Sequence, residues 1–452
     1  MKLLILGGYG VFGGRLAELL SDLAELEIII AGRTLAKAKA FCERYTGAAT
    51  VRPLELDRAD IAACLSDLRP DIVVDASGPF QNYGDNPYIV VRACIDARVH
   101  YLDLADGADF VFGISQFNAA AKEAGIFVLS GVSSFPVLSS AVLREIAKQM
   151  DIVSVTGGIA PSPYAGIGLN VMKAVVGYAG GDVKLHRGGR PAIAKGLAES
   201  RYYTIAPPGR LPLRNTRFSL VDVPDLQIIP VEYPKLQDIW MGAGPVPESL
   251  HIALNVLAKL RAALRLPSWA PFASLFYRVL NLAKFGEHRG GMFIHVEGMK
   301  NGVSAQCSWH LLAEGDDGPY IPSIAIEALV RKLLNGDAPE TGARPATNAL
   351  RLADYETLFA TKTISTGFRT AVSTDASLLE QVLNDDFVNL PEPLQAFHGS
   401  TGRRVWSGKA SVQLGGNLIA RLLGKLIGFP DSGADVPVSV TVQPDGGGAA
   451  GA

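Results

Sequence analysis

Short apolar runs alternate with amphipathic stretches through roughly the first 135 residues. The amphipathic stretches have helical spacing, whereas the apolar runs are dense enough to be strands covered on both faces. The predicted strands are residues 3–6, 28–31, 71–76, 101–105 and 126–130, and the predicted helices are 11–23, 34–45, 59–68, 87–97 and 114–124. The alternation predicts an α/β fold, with a doubly wound (Rossmann) parallel sheet over residues 1–135.

After this region the strict alternation stops, and glycine, proline and tyrosine become frequent. Helical patterns at 249–266, 271–286 and 322–336 accompany a predicted hairpin over 291–315 that turns at Asn301-Gly302. We therefore expect a second α+β domain over 136–366, for substrate binding or dimerisation. Residues 337–347 are rich in proline and glycine and predict a linker or exposed loop. Residues 367–452 predict a partial C-terminal β-rich unit, with a strand at 436–442 and a disordered tail from 444.

Composition narrows the class of protein. The chain has 452 residues, 48% of them hydrophobic and 19% charged, enough for two or three domains. Its 42 basic and 44 acidic residues give no general attraction to nucleic acid, so no nucleic-acid partner is expected. The four cysteines are scattered without metal-ligand spacing, so we expect no metal site and a reducing, cytoplasmic compartment. The pattern also predicts no membrane span.

A GxGxxG motif directly follows the first predicted strand and opens the first predicted helix. It consists of Gly8, Gly10 and Gly13, and Val11 and Phe12 lie between the last two. Gly8 permits a tight turn, Gly10 lets the backbone approach a pyrophosphate, and Gly13 lets the helix pack against the strand. The helix N-terminus then offers unpaired N–H groups to the phosphates. This context favours dinucleotide binding over a glycine-rich turn without a ligand.

The end of the second predicted strand distinguishes between the two nicotinamide dinucleotides. NAD-binding proteins place an acidic residue there, but this chain has Arg33 and Thr34, with Lys37 one helical turn further on. An arginine pairs with a 2′-phosphate through charge-assisted hydrogen bonds, so the expected cofactor is NADP. The alternative is that Arg33 is only a solvated strand-end residue. Asp57, after the third strand, either accepts a hydrogen bond from the adenine amine or caps the next helix.

Candidates for the nicotinamide and substrate side follow the fourth and fifth strands, because ligands bind at the carboxyl ends of parallel strands. The loop after the fourth strand is expected to run along the cofactor, unless it forms only a turn; its residues are Ser77, Gly78, Pro79 and Phe80. Tyr101 and Asp103 lie on one side of the fifth strand, and Asp106 lies just past its end. Each could donate a proton or orient the substrate. The alternatives are a core tyrosine and aspartates that cap a helix or hold a loop.

Five segments stand in the order and at the spacing of one family's NADP-binding domain: GGYGVFGGRLAELL, AGRTLAK, VVDASGPFQNYG, RACIDARVHYLDLADG and SGVSSFPVLSSAVL. The chain resembles the saccharopine-dehydrogenase-like oxidoreductases, and the resemblance continues through GGMFIHVEG and SWHLLAEGDDGPYIPSIAIEAL to about residue 360. It implies hydride transfer by NAD(P)H, with some members acting on amino-acid imines and others on enoyl groups of lipids. Residues from about 367 resemble part of an uncharacterised domain sometimes fused behind such proteins, through FHGSTGRRVWSGKASVQLGG and LLGKLIGFP.

These features predict an NADP(H)-dependent oxidoreductase that transfers hydride to an imine, enoyl or carbonyl group of a hydrophobic substrate. The alternative is a non-catalytic NADP-binding scaffold or redox sensor, because no unambiguous acid or base accompanies the motif.

One long segment, residues 249–286, contains no aspartate or glutamate. Its basic residues stand among apolar ones; they are Lys259, Arg261, Arg265, Arg278 and Lys284. Such a stretch predicts peripheral contact with an anionic membrane, together with a second acid-free run at 415–430. The alternatives are a greasy substrate channel and an ordinary buried or homodimer-forming helix pair with solvated basic residues.

Overall fold

The computed structural model describes residues 1–162, 164–165, 168–244, 248–282, 287–371, 379, 383–398, 404–413 and 432–442. The chain forms two compact units, Met1–Ala371 and Val372–Ala452. The domain boundaries expected after residues 135 and 366 stay predictions.

A seven-stranded sheet begins the larger unit. Its strands are β1 Lys2–Leu6, β2 Glu27–Gly32, β3 Thr50–Glu55, β4 Ile72–Asp75, β5 His100–Asp103, β6 Phe127–Ser130 and, from much later in the chain, β15 Gly342–Pro345. The strand order is β15-β6-β5-β4-β1-β2-β3, and every pairing is parallel. The order reverses at β1, so the two halves of a dinucleotide site meet there.

Helices cover both faces of this sheet. They are α1 Val11–Leu19, α2 Leu35–Arg44, α3 Ile61–Leu68, α4 Ile89–Ala97, α5 Ala108–Gly113 and α6 Asn118–Ala124. Leu3 and Ile5 of β1 pack into one apolar cluster, and Leu4 and Leu6 pack into another on the opposite face. Burial on both faces explains the dense apolar runs. The expected doubly wound sheet is confirmed.

The segment 337–347 is only partly a loop, so the expectation of a linker was wrong at residues 342–345. These residues form β15, which pairs with β6 and places Gly342 opposite Phe127 and Pro345 opposite Ser130. Proline is tolerated because β15 is an edge strand, where an absent N–H costs no internal hydrogen bond. The sequence Gly-Ala-Arg-Pro lacks the apolar density of a strand, and long-range pairing decides its structure.

A second seven-stranded sheet follows. Its strands are β7 Asp151–Ala160, β10 Ser200–Ile205, β11 Leu213–Leu220, β12 Asp238–Ala243, β13 Gly290–Lys300, β14 Val303–Ala313 and β16 Ile364–Ala371, in the order β10-β11-β12-β7-β13-β14-β16. The predicted hairpin is confirmed as β13 and β14, and its turn residues Asn301 and Gly302 have positive φ values of 51° and 80°. A separate hairpin consists of β8 Asp182–Arg187 and β9 Arg190–Lys195.

One apolar core joins the two sheets. Further helices of the larger unit pack into this core or into two smaller apolar clusters. They are α7 Ser139–Ala147, α8 Leu169–Tyr178, α9 Asp225–Glu232, α10 Glu248–Leu264, α11 Ala273–Leu282, α12 Ile321–Leu334 and α13 Leu352–Phe359. The three helices predicted after residue 248 are thus confirmed as α10, α11 and α12. Helix α12 packs on α1, where Ser323 Oγ donates to the Phe12 carbonyl at 3.1 Å and Arg331 Nη2 lies 2.8 Å from Asp22 Oδ1.

The smaller unit contains helix α14 Glu392–His398 and an antiparallel pair, β17 Arg404–Val412 and β18 Gly433–Val442. The strand predicted at 436–442 is confirmed within β18. The predicted tail from 444 and the acid-free run at 415–430 lie outside the described residues. Within the described part of the chain, no helix has both the length and the apolar character needed to cross a membrane.

Candidate cofactor and active site

The glycine-rich loop joins β1 to α1 where the strand order reverses. Its left-handed residue is Gly7, with φ 73°, so the turn falls one residue before Gly8. A Cβ at Gly10 would lie 2.9 Å from the Gly7 carbonyl oxygen, and one at Gly13 would lie 2.4 Å from it. Both contacts are too short for any side chain, so glycine brings the helix start directly against the strand end.

This helix start is open to an anion. Gly10 precedes α1 and has no side chain with which to cap it. The first-turn N–H groups, at Val11 and Phe12, lack carbonyl partners within the helix and point outward along its axis. The positive end of the helix dipole adds attraction for a phosphate. The loop therefore fits the pyrophosphate of a dinucleotide.

The basic residues expected at the ribose lie together at the end of β2. Arg33 and Thr34 follow the strand, Lys37 lies in the first turn of α2, and all three are exposed. Tyr9, from the glycine-rich loop, connects the two segments: its hydroxyl accepts from the Thr34 N–H at 3.2 Å. A Cβ on Gly32 would lie 2.5 Å from the Tyr9 ring, so only glycine leaves room for this contact. The arrangement fits a 2′-phosphate with two free cationic side chains.

Asp57 caps the start of the next helix, which was one of the two roles that the sequence allowed for it. Its carboxylate accepts from the Ala59 N–H at 3.0 Å, at the start of a short 3-10 helix over Arg58–Asp60. The side chain is exposed at the carboxyl end of β3. An adenine contact from its second carboxylate oxygen stays a prediction.

A buried polar cluster underlies the loop after β4. Ser77 donates from its hydroxyl to the buried Asp75 carboxylate at 2.5 Å, and Ser77 Oγ lies 2.9 Å from the Tyr83 hydroxyl. The Arg58 guanidinium lies 3.3 Å from the centre of the Tyr83 ring and 3.6 Å from Asp75. These contacts hold the loop in one position at the strand ends, where the cofactor is expected.

Phe80 closes this loop from below. It is buried, and its ring packs 4.9 Å from Tyr83 and 5.1 Å from Phe110, measured between ring centres. Gly78 and Pro79 are partly buried and joined by a cis peptide bond. Phe80 therefore supports the loop through its apolar packing, whereas Ser77, Gly78 and Pro79 lie nearer the surface.

Tyr101 and Asp103 point to the same side of β5, and both are fully buried. Tyr101 packs among the apolar residues beneath the sheet. Asp103 accepts from the Gly131 N–H at 2.7 Å and from the Ala105 N–H at 3.0 Å, so it ties β5 to the loop after β6. Burial raises the pKa of Asp103 to about 7. Asp103 thus has the loop-holding role that was the alternative for it, and Tyr101 packs as a core tyrosine.

The raised pKa of Asp103 makes a testable prediction about stability. A carboxyl group whose pKa is higher in the folded state favours folding while protonated, and that stabilisation is lost as pH rises from about 4 through 7. Asp103→Asn stays neutral at every pH. Its free energy of unfolding, relative to the unmodified protein, should therefore rise by roughly 2 kcal/mol between about pH 5 and pH 8. Urea denaturation at both pH values measures this difference; parallel pH profiles would contradict it.

Asp106 belongs to an acidic cluster at the carboxyl end of β5. It is partly buried and accepts from the Gln81 side chain at 3.0 Å, which links the loops after β4 and β5. Burial, together with the neighbouring charges of Asp109 and Asp106, raises the pKa of Asp222 to about 6. Burial also raises the pKa of the Tyr178 hydroxyl, and the charges of Asp106 and Asp222 raise it as well. Three chain segments thus converge on one electronegative site.

Cationic and amide groups border one side of this cluster. Lys184 pairs with Asp109 at 2.8 Å, and Gln227 donates to the same carboxylate at 3.1 Å. Asp109 is exposed and carries these contacts, whereas Asp106 and Asp222 lie deeper. Lys184 therefore balances the charge of Asp109, while the carboxylates of Asp106 and Asp222 have no cation paired with them among the described contacts. This inner part of the cluster suits a positively charged group.

The sequence prediction named Asp106 but missed Tyr178, Asp222 and Gln81. Tyr178 ends α8 in a glycine-rich segment, and Asp222 follows β11; neither stands in a motif or at a recognisable spacing. Only the folded chain brings them beside Asp106. Gln81 directly follows the predicted loop, so extending that loop by one residue would have included it.

A separate groove of about 480 Å³ lies on the second sheet. There Arg201 stacks 4.9 Å from the centre of the Trp240 ring and donates to Thr156 at 3.3 Å. Residues 153–156 of β7 form part of its lining, which includes none of the candidate residues described above.

Comparison with known proteins agrees with this geometry. Residues 3–129 match the family described as the saccharopine dehydrogenase NADP-binding domain. The fold is similar to apo saccharopine dehydrogenase (L-Glu forming) from Saccharomyces cerevisiae, with a TM-score of 0.56 and 13% identity over 82% of this chain and 100% of that chain. Amine dehydrogenase from Mycobacterium smegmatis matches at a TM-score of 0.39 and 12% identity, over 78% of this chain and 95% of that one. No curated protein matches the sequence significantly.

The parallel sheet with its glycine-rich loop is the fold of a dinucleotide-binding domain, and the family match indicates an NADP-binding oxidoreductase. The match to the saccharopine dehydrogenase NADP-binding domain covers residues 3–129, and it confirms the expected resemblance and the expected cofactor.

Proposed function

We propose that the protein is an NADP(H)-dependent oxidoreductase that reduces an imine. Imine, enoyl and carbonyl acceptors all fit a hydride-transferring site, but only an imine readily carries a positive charge at the reacting group. The observation that favours it is the acidic cluster, in which Asp106 lies just past β5, Asp222 lies just past β11, and the charge of Asp106 acts on Asp222. Hydrophobic character of the remaining substrate stays a prediction.

The cofactor would lie across the strand ends in the direction that the site residues define. Arg33 and Lys37 would hold the 2′-phosphate, and the start of α1 would hold the pyrophosphate. The nicotinamide end would then point toward the loops after β4 and β5, which carry Gln81 and Asp106. When bound, NADPH supplies the hydride that reduces the substrate carbon.

The residues of the acidic cluster would bind and protonate the nitrogen. Asp106 and Asp222 stabilise the positive charge of an iminium, and this charge disappears from the C=N group as the carbon accepts hydride. If the imine arrives neutral, Asp222 can supply the proton, because its pKa of about 6 lets it hold and release a proton near neutral pH. Tyr178 stays protonated, since burial raises its pKa, so its hydroxyl can donate a hydrogen bond to the lone pair of a neutral imine nitrogen and orient it.

Comparing three simple acceptors tests the proposal. NADPH oxidation is followed by absorbance with a cyclic imine, a cyclic ketone and an α,β-unsaturated thioester at equal concentrations. We expect the imine to react fastest. A faster ketone or thioester would contradict the imine assignment, and tight NADPH binding without oxidation by any acceptor would favour the non-catalytic alternative.

A further inference from the structure

Helix α10 has an inverted distribution of polar and apolar side chains. Its inward face carries His251 and Asn255, which are 1% and 2% exposed. His251 Nε2 lies 2.7 Å from Ser219 Oγ, and Asn255 donates to the Leu197 carbonyl at 2.9 Å. Hydrogen bonds, together with buried Leu254 and Ala258, therefore fasten this helix to the second sheet.

The outward face of α10 is apolar. Ile252, Val256, Leu260 and Leu264 recur every fourth residue, and Val256 and Leu264 are 58% and 62% exposed. Residues at this spacing lie along one side of a helix. A surface helix ordinarily shows its polar side to water, so a continuous apolar stripe indicates a surface that binds something apolar.

Helix α11 repeats the feature. Phe272, immediately before the helix, is 52% exposed, while Leu275 and Val279 are 60% and 42% exposed. The opposite side of α11 packs through Ala273 onto Met172 and Val176 of α8. Arg261 of α10 donates to the Gly177 carbonyl at 2.9 Å, so both helices are anchored at α8. We call the exposed apolar residues of α10 and α11, with Phe272, the apolar stripe.

The charged side chains within residues 249–286 of the two helices are all basic. Lys259, Arg265 and Arg278 are exposed, and residues 249–286 contain no acid. Glu248, at the first turn of α10, receives a hydrogen bond from the Tyr202 hydroxyl at 2.9 Å. Exposed apolar side chains with basic residues around them are the pattern of a helix that lies in the headgroup region of an anionic bilayer.

We propose that the apolar stripe docks on the surface of an anionic lipid bilayer. The apolar side chains enter the interfacial layer, and Lys259, Arg265 and Arg278 pair with lipid phosphates and carboxylates. An anionic membrane is favoured over a second copy of this chain, because two copies meeting through the same surface would bring the basic residues of both together, with Glu248 the one acid that α10 and α11 supply in their described residues. The docking does not depend on the proposed reaction.

Flotation with vesicles tests the docking. The probes are phosphatidylcholine vesicles and vesicles of phosphatidylcholine and phosphatidylserine at about a three-to-one ratio, at low and high salt. We expect binding at least about tenfold stronger to the anionic vesicles at low salt, and a marked loss at high salt. Binding to neither vesicle, or equal binding to both, would overturn the proposal.

Two variants and a matched control locate the surface. Val256→Asp with Leu260→Asp, and separately Lys259→Glu with Arg265→Glu, should each reduce vesicle binding at least about tenfold. Val231→Asp with Val303→Asp changes apolar residues of α9 and β14 that are 66% and 63% exposed, and should leave it unchanged. Unaltered NADPH binding shows that each variant is folded. Equal vesicle binding by stripe and control variants would overturn the proposal. A protein that binds no vesicles but forms a dimer, which Val256→Asp with Leu260→Asp dissociates, would also overturn it.

Discussion

Arg33→Ala is expected to weaken NADPH binding at least about tenfold while leaving NADH binding nearly unchanged. A charge-assisted hydrogen bond to a phosphate contributes roughly 1.5–3 kcal/mol, and each 1.4 kcal/mol is about a tenfold change in affinity. Arg33 is exposed at the end of β2, so its loss leaves no buried group unpaired. Quenching or enhancement of nicotinamide fluorescence gives both dissociation constants.

Arg44→Ala is the matched control for this variant. Arg44 is an exposed arginine in the last turn of α2, whereas Arg33 lies just before the first turn of that helix. The control should keep the preference for NADPH. Equal affinity of the unmodified protein for NADPH and NADH would contradict the assignment of Arg33 to the 2′-phosphate, as would equal effects of the two substitutions.

The second large effect is expected at the acidic cluster. Asp222→Asn and Asp106→Asn should each lower kcat/KM for a cyclic imine by roughly a hundredfold, because each removes a charge that stabilises the iminium, and NADPH affinity should stay nearly unchanged. Asp337→Asn is the control: this exposed aspartate follows α12 and pairs with Lys332, away from the cluster. Steady-state kinetics and NADPH titration separate the two effects.

The proposed role of Asp222 also predicts how kcat/KM changes with pH. Asp222 is protonated below its pKa of about 6 and ionised above it. If the carboxylate binds an iminium, kcat/KM for a substrate that stays protonated should rise as pH increases from about 5 to 7. Asp222→Asn should remove that rise. A profile unchanged by the substitution would assign the dependence to another group.

Local sequence predicted the cofactor half of the molecule well. The strands of the first sheet are buried on both faces, so their apolar density stands out against the helical spacing between them. The glycine-rich loop is readable for a similar reason: Gly10 and Gly13 lie where no side chain fits, so the fold demands glycine at a fixed spacing. Arg33 follows because the ribose end of such a site lies at the end of the next strand.

The substrate half could not be predicted in the same way. Gln81, Asp106, Tyr178 and Asp222 come from four separate segments, and none carries a local pattern that indicates its neighbours. β15 shows the same limit, since an edge strand of Gly-Ala-Arg-Pro forms through pairing with β6. The acid-free composition of 249–286 was visible in the sequence, but the inverted faces of α10 depend on which side meets β11 and the segment after β9.

Deuterium transfer is the measurement that tests the central claim most directly. The protein is incubated with NADPH deuterated at the transferable position and a cyclic imine, and the amine product is analysed by mass spectrometry and NMR. Catalysed hydride transfer predicts one deuterium on the former imine carbon, with formation slowed strongly by Asp222→Asn but not by Asp337→Asn. Bound NADPH that leaves the imine unlabelled and unreduced would contradict the account.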